Sequence, residues 1–125
     1  MPVVPGLGAT VQLKVGEADT AVALRSGDVP VLATPRLIAL CEEATVLALE
    51  GHLDAGQTTV GMRVQLDHLA PTGVGQAVVA DATLEKIEGR RLTFTVSASD
   101  ERGLVAAGRV TRVLVDIERF LERAH

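Results

Sequence analysis

The segment from Thr34 to Leu49 is the one long stretch of the sequence whose apolar residues repeat at helical spacing. Thr34 stands where an N-cap is expected, and Pro35 takes the first helical position, where its missing N–H does no harm. Apolar residues lie nearly all round this helix, which is typical of a buried helix. Gly51 then ends it. The remaining elements of the chain must therefore cover this helix.

Strand patterns lie on both sides of the helix. Before it, Thr10–Val15 alternates polar and apolar residues, which is typical of a half-buried strand, and a second short extended segment is predicted over Thr20–Leu24. After it, the sequence predicts four long strands, Thr59–Leu66, Gln76–Ile87, Arg91–Ser99 and Leu104–Asp116. A short helix over Ile117–Ala124 closes the chain.

This order of elements predicts an α+β fold in which an antiparallel meander wraps around one central helix. An antiparallel sheet must bury one face, and the Thr34–Leu49 helix is the only element long and apolar enough to cover it. That arrangement is the hotdog fold, and residues 1–125 have room for one such domain. Because long strands with an exposed edge usually pair with another copy, we expect a homodimer, with a tetramer left open.

Composition and charge exclude several classes of function. The net charge is −4, and the chain has two Phe and no Trp or Tyr, so we expect no nucleic-acid partner. The longest unbroken apolar run, Leu37–Cys41, has five residues, far short of a membrane span. The N-terminal residues lack the features of a secretory signal, and the single cysteine can form no internal disulfide. We therefore expect a cytoplasmic protein with no membrane partner and no metal site.

Two carboxylates interrupt the apolar helix near its middle. A carboxylate buried at the position of Glu42 or Glu43 is costly unless it is paired, hydrogen-bonded or used in chemistry. Neighbouring residues on a helix diverge by about 100°, so at least one of the two has an ordinary role, facing solvent or an arginine of the sheet. The residues alone leave open which of them, if either, serves a functional site.

Three further residues are candidates for chemistry. His68 extends the apolar face of the predicted strand Thr59–Leu66, where it either caps the core or meets a helix or a partner subunit. Thr34 needs no role beyond the N-cap, although a helix N-terminus also presents free N–H groups that can polarise a bound carbonyl group. Cys41 lies among Leu, Ile and Ala, and we expect it in the core rather than as a nucleophile.

The spacing of Thr34, Glu42 and His68 resembles the Thr/Glu/His set of the fluoroacetyl-CoA thioesterase family, a branch of the hotdog acyl-CoA thioesterases. Gly61 stands seven residues before His68, where that family also has a glycine at its site. The resemblance selects Glu42 rather than Glu43 as the acid of the site.

The likeness extends along nearly the whole chain, from about Gly6 to Phe120. Glu88–Leu92 and Val96–Ala98 are similar to a hairpin of the family. One departure concerns Arg25–Ala33, which is shorter than in the fluoroacetyl-specific enzyme and lacks the aromatic residue of that enzyme's lid. The resemblance therefore implies thioester hydrolysis without implying a fluorinated substrate.

The activity that the resemblance implies is hydrolysis of a small or medium acyl-CoA to the free acid and CoA. It implies catalytic roles for Thr34, Glu42 and His68 at a dimer interface, with Gly61 binding the substrate. CoA is then part of the substrate, and we expect no separate cofactor. Two alternatives stay open on the same fold, a non-catalytic acyl-CoA-binding module and another reaction such as hydration of an enoyl thioester.

Overall fold

A computed structural model describes residues 2–125, which form one five-stranded antiparallel sheet with helices between its first and second strands and after its last. The elements in chain order are β1 (Gly8–Lys14), a 3₁₀ turn (Glu17–Asp19), α1 (Ala21–Leu24), α2 (Thr34–Ala48), β2 (Gln57–His68), β3 (Ala77–Glu88), β4 (Arg91–Asp100), β5 (Gly103–Asp116) and α3 (Ile117–Ala124). Within the described residues, no helix is long and apolar enough to cross a membrane.

Helix α2 lies on one face of the sheet and packs mainly against β1 and β3. The core between them consists of apolar side chains that are almost fully buried, among them Leu37, Leu40, Ala44, Ala80, Phe94 and Val96. The prediction of an α+β fold with an antiparallel sheet around one central helix is confirmed. The half of the sheet formed by β5 and β2 has fewer contacts with α2, so its inner face is more open.

The position of β2 differs from the predicted four-strand meander. The strand order is β1-β3-β4-β5-β2, so β3, β4 and β5 form a meander while β2 pairs with β5 and lies at the opposite edge from β1. The segment after β2 crosses the end of the sheet, where the Thr72 hydroxyl donates a hydrogen bond to the Asp100 carboxylate at 2.8 Å. Alternation shows which face of a strand is buried but not which strand lies beside it, and the meander prediction was wrong for that reason.

Two local predictions before the long helix are also wrong. Ala21–Leu24 forms the helical turn α1 instead of an extended segment, and the Thr20 hydroxyl caps this turn by accepting a hydrogen bond from the Ala23 N–H. Helix α2 begins at Thr34 itself, and the N-cap position belongs to Ala33, which makes no side-chain cap. The hydroxyl of Thr34 is therefore free of any capping role and available for another contact.

A β-bulge in β2 decides which of its side chains face α2. The register against β5 shifts after Gly61, so that Met62 is an extra residue in the strand. Gly61 pairs with Arg112 and His68 pairs with Ala106, and these two partners are six residues apart on β5, hence on one face. The predicted strand Thr59–Leu66 therefore does not alternate without interruption, and the bulge brings Gly61 and His68 to the same side of the sheet.

Candidate active site

The first residue of α2 and the last residue of β2 are in contact. Thr34 Oγ1 lies 2.8 Å from Nδ1 of His68. The other ring nitrogen, Nε2, is buried and has no hydrogen-bond partner among residues 2–125. A buried polar atom without a hydrogen-bond partner costs free energy until another group forms a hydrogen bond with it. The His68 ring thus has one nitrogen held by the Thr34 hydroxyl and one without a hydrogen-bond partner among the described residues.

Glu42 lies farther along α2 and faces the inner side of the sheet. Its Oε2 atom is 3.4 Å from Nη1 of Arg112. Gly61 approaches the same carboxylate so closely that a Cβ atom built on it would lie 2.6 Å from Oε2. The Glu42 side chain is 34% exposed, whereas Glu43 is exposed to solvent on another side of the helix. The helix thus directs Glu42 to the sheet, where it meets an arginine, and Glu43 away from it.

Arg112 is the residue of this region that sequence reasoning missed. Its buried guanidinium donates two hydrogen bonds to Thr59, one to the hydroxyl at 2.9 Å and one to the carbonyl oxygen at 3.0 Å. Burial lowers the pKa of this guanidinium, and the nearby Glu42 carboxylate opposes that shift. The signal for its role is its place between Val110 and Leu114, at an inward position of β5 where an apolar residue is expected.

The two groups lie at different points along α2. Eight residues separate Thr34 from Glu42, which is about 12 Å along the helix axis. Within residues 2–125, no hydrogen bond or ion pair connects His68 with Glu42 or Gly61. One chain therefore assembles Thr34 with His68, and Glu42 with Gly61 and Arg112, as two separate groups. The described residues contain no cluster of three His, Cys, Asp or Glu side chains placed to hold a metal ion.

An open cavity of about 330 Å³ lies beside the Thr34–His68 pair. Its walls come from α1, the loop before α2 and the segment that follows β2. Ser26, Thr34 and His68 are its polar side chains, and the rest are apolar or glycine, including Ala21, Gly27, Val29, Val31, Leu32 and Ala70. No Lys, Arg, Asp or Glu side chain lines it.

Comparison with known protein families identifies the family of this chain. The family model described as fluoroacetyl-CoA-specific thioesterase matches residues 15–118. The chain belongs to the fluoroacetyl-CoA-specific thioesterase family. The matched range includes α2 and all of β2, and with them every residue of the two groups described above.

Individual relatives of this chain are similar to it in sequence and fold. A fluoroacetyl-CoA thioesterase from Streptantibioticus cattleyicolor is 34% identical over 90 residues, 72% of this chain and 65% of that protein, so the chain spans just under two thirds of the relative's length. A solved structure of a fluoroacetyl-CoA thioesterase is 28% identical and superposes with a TM-score of 0.93, covering 99% of this chain and 96% of the other. A variant of that enzyme has been solved with fluoroacetate and CoA.

A hot-dog-like protein from Thermanaerovibrio acidaminovorans is 29% identical and superposes with a TM-score of 0.89. The match covers 96% of this chain and 89% of that protein. Together with the thioesterase structures, this likeness confirms the hotdog fold predicted from the order of elements.

Proposed function

We propose that this chain is an acyl-CoA thioesterase, which cleaves an acyl-CoA with water to give the free acid and CoA. Thr34, Glu42 and His68 are its catalytic residues, and Gly61 contacts the substrate. The observation that carries the proposal is the contact between Thr34 and His68, because it joins a hydroxyl to an imidazole at the N-terminus of α2. Unpaired N–H groups and the helix dipole favour negative charge there, as hydrolysis of a thioester requires.

We infer that the site is shared between two copies of the chain. Strand β2 has a free edge, and two copies can pair through it about a two-fold axis. If the strands pair antiparallel with the axis at Gln65, Gly61 of one copy lies opposite His68 of the other, because the extra residue Met62 makes Gly61 and His68 equally many pairing positions from the axis. Glu42, which contacts Gly61, then approaches the imidazole of the partner.

Exposed apolar side chains near this edge support such a homodimer. Val46 and Leu47 on α2 are 50% and 39% exposed, Met62 on β2 is 42% exposed, and Leu69 just after β2 is 59% exposed. Apolar side chains gathered beside an unpaired strand are typical of an interface between proteins. Edge-to-edge pairing would bury these side chains together with the free backbone groups of β2, in a dimer that can itself be half of a tetramer.

In the shared site the two groups have complementary roles. Glu42 takes a proton from water as the water oxygen bonds to the carbonyl carbon. Thr34 holds Nδ1 of His68, and Nε2 gives a proton to the CoA sulfur as the C–S bond breaks. The proton on Glu42 then passes to His68, which restores both residues for the next turnover. The bulge after Gly61 leaves backbone groups outside the ladder, where an N–H can hold the carbonyl oxygen as its charge grows. CoA enters as part of the substrate, and the reaction needs no separate cofactor.

Release of free thiol from a panel of acyl-CoAs tests this function. We expect release above the uncatalysed rate, with kcat/KM at least about 10²-fold lower for His68→Ala, because general acid–base catalysis contributes on that scale. Tight binding of acyl-CoAs without thiol release would show a binding module. Consumption of an enoyl-CoA without thiol release would show a hydratase. Either result would overturn the proposal.

A further inference from the structure

The segment that follows β2 is joined at one buried residue to two other parts of the chain. Thr72 is 0% exposed, its hydroxyl donates a hydrogen bond to the Asp100 carboxylate at 2.8 Å, and its carbonyl oxygen accepts one from the Leu32 N–H at 2.8 Å. We propose that Thr72 and Asp100 are positioning residues that maintain the contact between α2 and the imidazole of His68. This inference rests on the proposed function for the role of that contact and goes beyond it by naming the residues that maintain it.

His68 lies where the ladder between β2 and β5 ends, because it is the last residue of β2. The N–H groups of the next two residues both donate to the carbonyl oxygen of Val105, at 2.7 and 3.3 Å. Pro71, which follows them, has no N–H to donate. Thr72 comes directly after this proline, and its hydroxyl attaches the segment to the sheet again through Asp100.

The start of α2 depends on the same residue. Leu32, whose N–H binds the Thr72 carbonyl, is two residues before Thr34, and Thr72 is four residues after His68. If Thr72 shifts, the segment before α2 shifts with it, whereas His68 stays in the ladder with β5. The distance between the Thr34 hydroxyl and the His68 ring therefore depends on where Thr72 is held.

Asp100 is a fixed acceptor, because both of its carboxylate oxygens are bound. Oδ2 accepts the hydrogen bond from Thr72, and Oδ1 accepts one from the Arg102 N–H at 2.9 Å. The backbone of Asp100 pairs with Gly103 in the hairpin between β4 and β5. The hydrogen bond from Thr72 and, second, that from Arg102 lower the pKa of this carboxyl. Thr72 thus binds an ionised acceptor, and such hydrogen bonds are about twice as strong as those between neutral groups.

The first test compares Thr72→Val with Thr72→Ser in thiol release from acyl-CoAs. Valine has about the size of threonine without its hydroxyl, whereas serine keeps the hydroxyl. We expect Thr72→Val to lower kcat at least about tenfold with KM within about twofold, because a displaced catalytic group slows the chemical step more than it weakens binding. Thr72→Ser should restore most of the wild-type kcat. A wild-type kcat in Thr72→Val, or an equal loss in both variants, would overturn the proposal.

Thr95→Val is the matched control for the lost hydroxyl. Thr95 donates to the Glu85 carboxylate at the same distance of 2.8 Å, but this pair is exposed on the face of the sheet away from α2. Thr95→Val should therefore keep the wild-type kcat. A loss of kcat as large as that in Thr72→Val would contradict a specific role for the bond to Asp100.

A double-mutant cycle with Thr34→Ala separates positioning from a general loss of structure. If Thr72 acts through the contact of Thr34 with His68, Thr72→Val should lower kcat less than about twofold once Thr34→Ala has removed that contact. Equal factors in the two backgrounds would show that the Thr72 hydroxyl supports the fold in general, which would overturn the proposal. Asp100→Ala removes the acceptor instead of the donor, so the same cycle with it decides the question if Thr72→Val does not fold.

NMR of isotope-labelled histidine nitrogens tests the same contact without any activity, with the His68 signals assigned by their loss in His68→Ala. We expect the Nδ1 signal to shift in Thr34→Ala and in the same direction in Thr72→Val, and to stay unchanged in Thr72→Ser and Thr95→Val. If no acyl-CoA releases thiol, the thioesterase proposal is wrong, and this pattern of shifts would still support the positioning role. An unchanged Nδ1 signal in Thr72→Val would overturn that role whether or not the chain is active.

Discussion

The hydroxyl of Thr34 contacts the imidazole of His68 instead of capping the helix that Thr34 begins. The N-cap position is held by Ala33, and no side chain caps α2. A threonine before a proline is ordinarily explained by capping, and that explanation does not apply here. The Thr34 hydroxyl therefore binds His68 and does not cap the helix. A substitution that removes this hydroxyl tests its role without removing a cap from α2.

Thr34→Ala should reduce activity without reducing stability. Loss of an N-cap hydroxyl costs about 1 kcal/mol, but this hydroxyl caps nothing, so the free energy of unfolding should change by less than about 0.5 kcal/mol. The same variant should lower kcat/KM at least about tenfold, while Thr34→Ser keeps the hydroxyl and most of the activity. Urea unfolding and thiol release measure the two effects. An unstable but fully active Thr34→Ala would contradict the role of the pair.

Glu42→Gln and Glu43→Gln form a matched pair of variants on adjacent positions. Glu42 faces Gly61 and Arg112, whereas Glu43 faces solvent. Glu42→Gln should therefore lower kcat/KM at least about 10²-fold, and Glu43→Gln should leave it within about twofold. If Glu43→Gln is the damaging change while Glu42→Gln turns over normally, the alignment of this helix with the thioesterase family is out of register.

Gly61→Ala should displace the carboxylate of Glu42. An added Cβ would lie 2.6 Å from Oε2, which is too close, and the flexible end of the glutamate is what can move. Gly61 has an ordinary negative φ, so the backbone tolerates alanine. We expect kcat/KM to fall at least about tenfold, with little change in the free energy of unfolding. Unchanged kinetics would show that the position of this carboxylate is unimportant for turnover.

Arg112 and Glu42 should contribute to stability together. A double-mutant cycle of Arg112→Lys and Glu42→Gln, with the free energy of unfolding measured for each variant, gives their interaction energy. Arg112→Lys keeps a positive charge but loses the two hydrogen bonds to Thr59. We expect an interaction energy of at least about 0.5 kcal/mol. The pair of Arg109 and Glu85 spans the same 3.4 Å but is exposed, so the equivalent control cycle should give less. Equal energies from both cycles would contradict a special role for Arg112.

The buried thiol of Cys41 should make stability depend on alkaline pH. Burial, and secondarily the charge of Glu42, raise the pKa of this thiol from 9.0 to about 11. The unfolded chain loses this proton first, so the thiol's contribution to stability is complete below about pH 9 and is lost as pH rises toward 11. Urea unfolding at several pH values should show this loss. Cys41→Ala should reduce it, and an identical loss in that variant would assign it to other groups.

The parts of the fold that follow local patterns could be predicted from the sequence. The α3 helix has the predicted bounds, Ile117–Ala124, and β3 to β5 begin and end within one residue of prediction, because turns and alternation are local signals. The neighbour of β2 and the bulge at Met62 were not predictable, since both depend on pairing with the distant strand β5. The contact of Thr34 with His68 depends on the same pairing.

The candidate site, like the fold, could be predicted from the sequence only in part. Thr34, Glu42 and His68 were selected by their spacing, but spacing does not show that Glu42 and His68 are separated within one chain. Gly61 alternates away from His68 in an unbroken strand and faces the same side only because of the bulge. Arg112 follows from no motif, because its burial depends on the partner Thr59 across the β2–β5 pair.

The central claim is that Glu42 of one copy acts with His68 of its partner. The most direct test co-expresses Glu42→Gln and His68→Ala chains with different affinity tags and purifies the mixed dimer through both. In a shared arrangement one of its two sites keeps both residues and the other loses both, so thiol release should reach about half the wild-type rate per dimer. Activity as low as that of the two single-variant homodimers, or a chain that stays monomeric, would contradict the account.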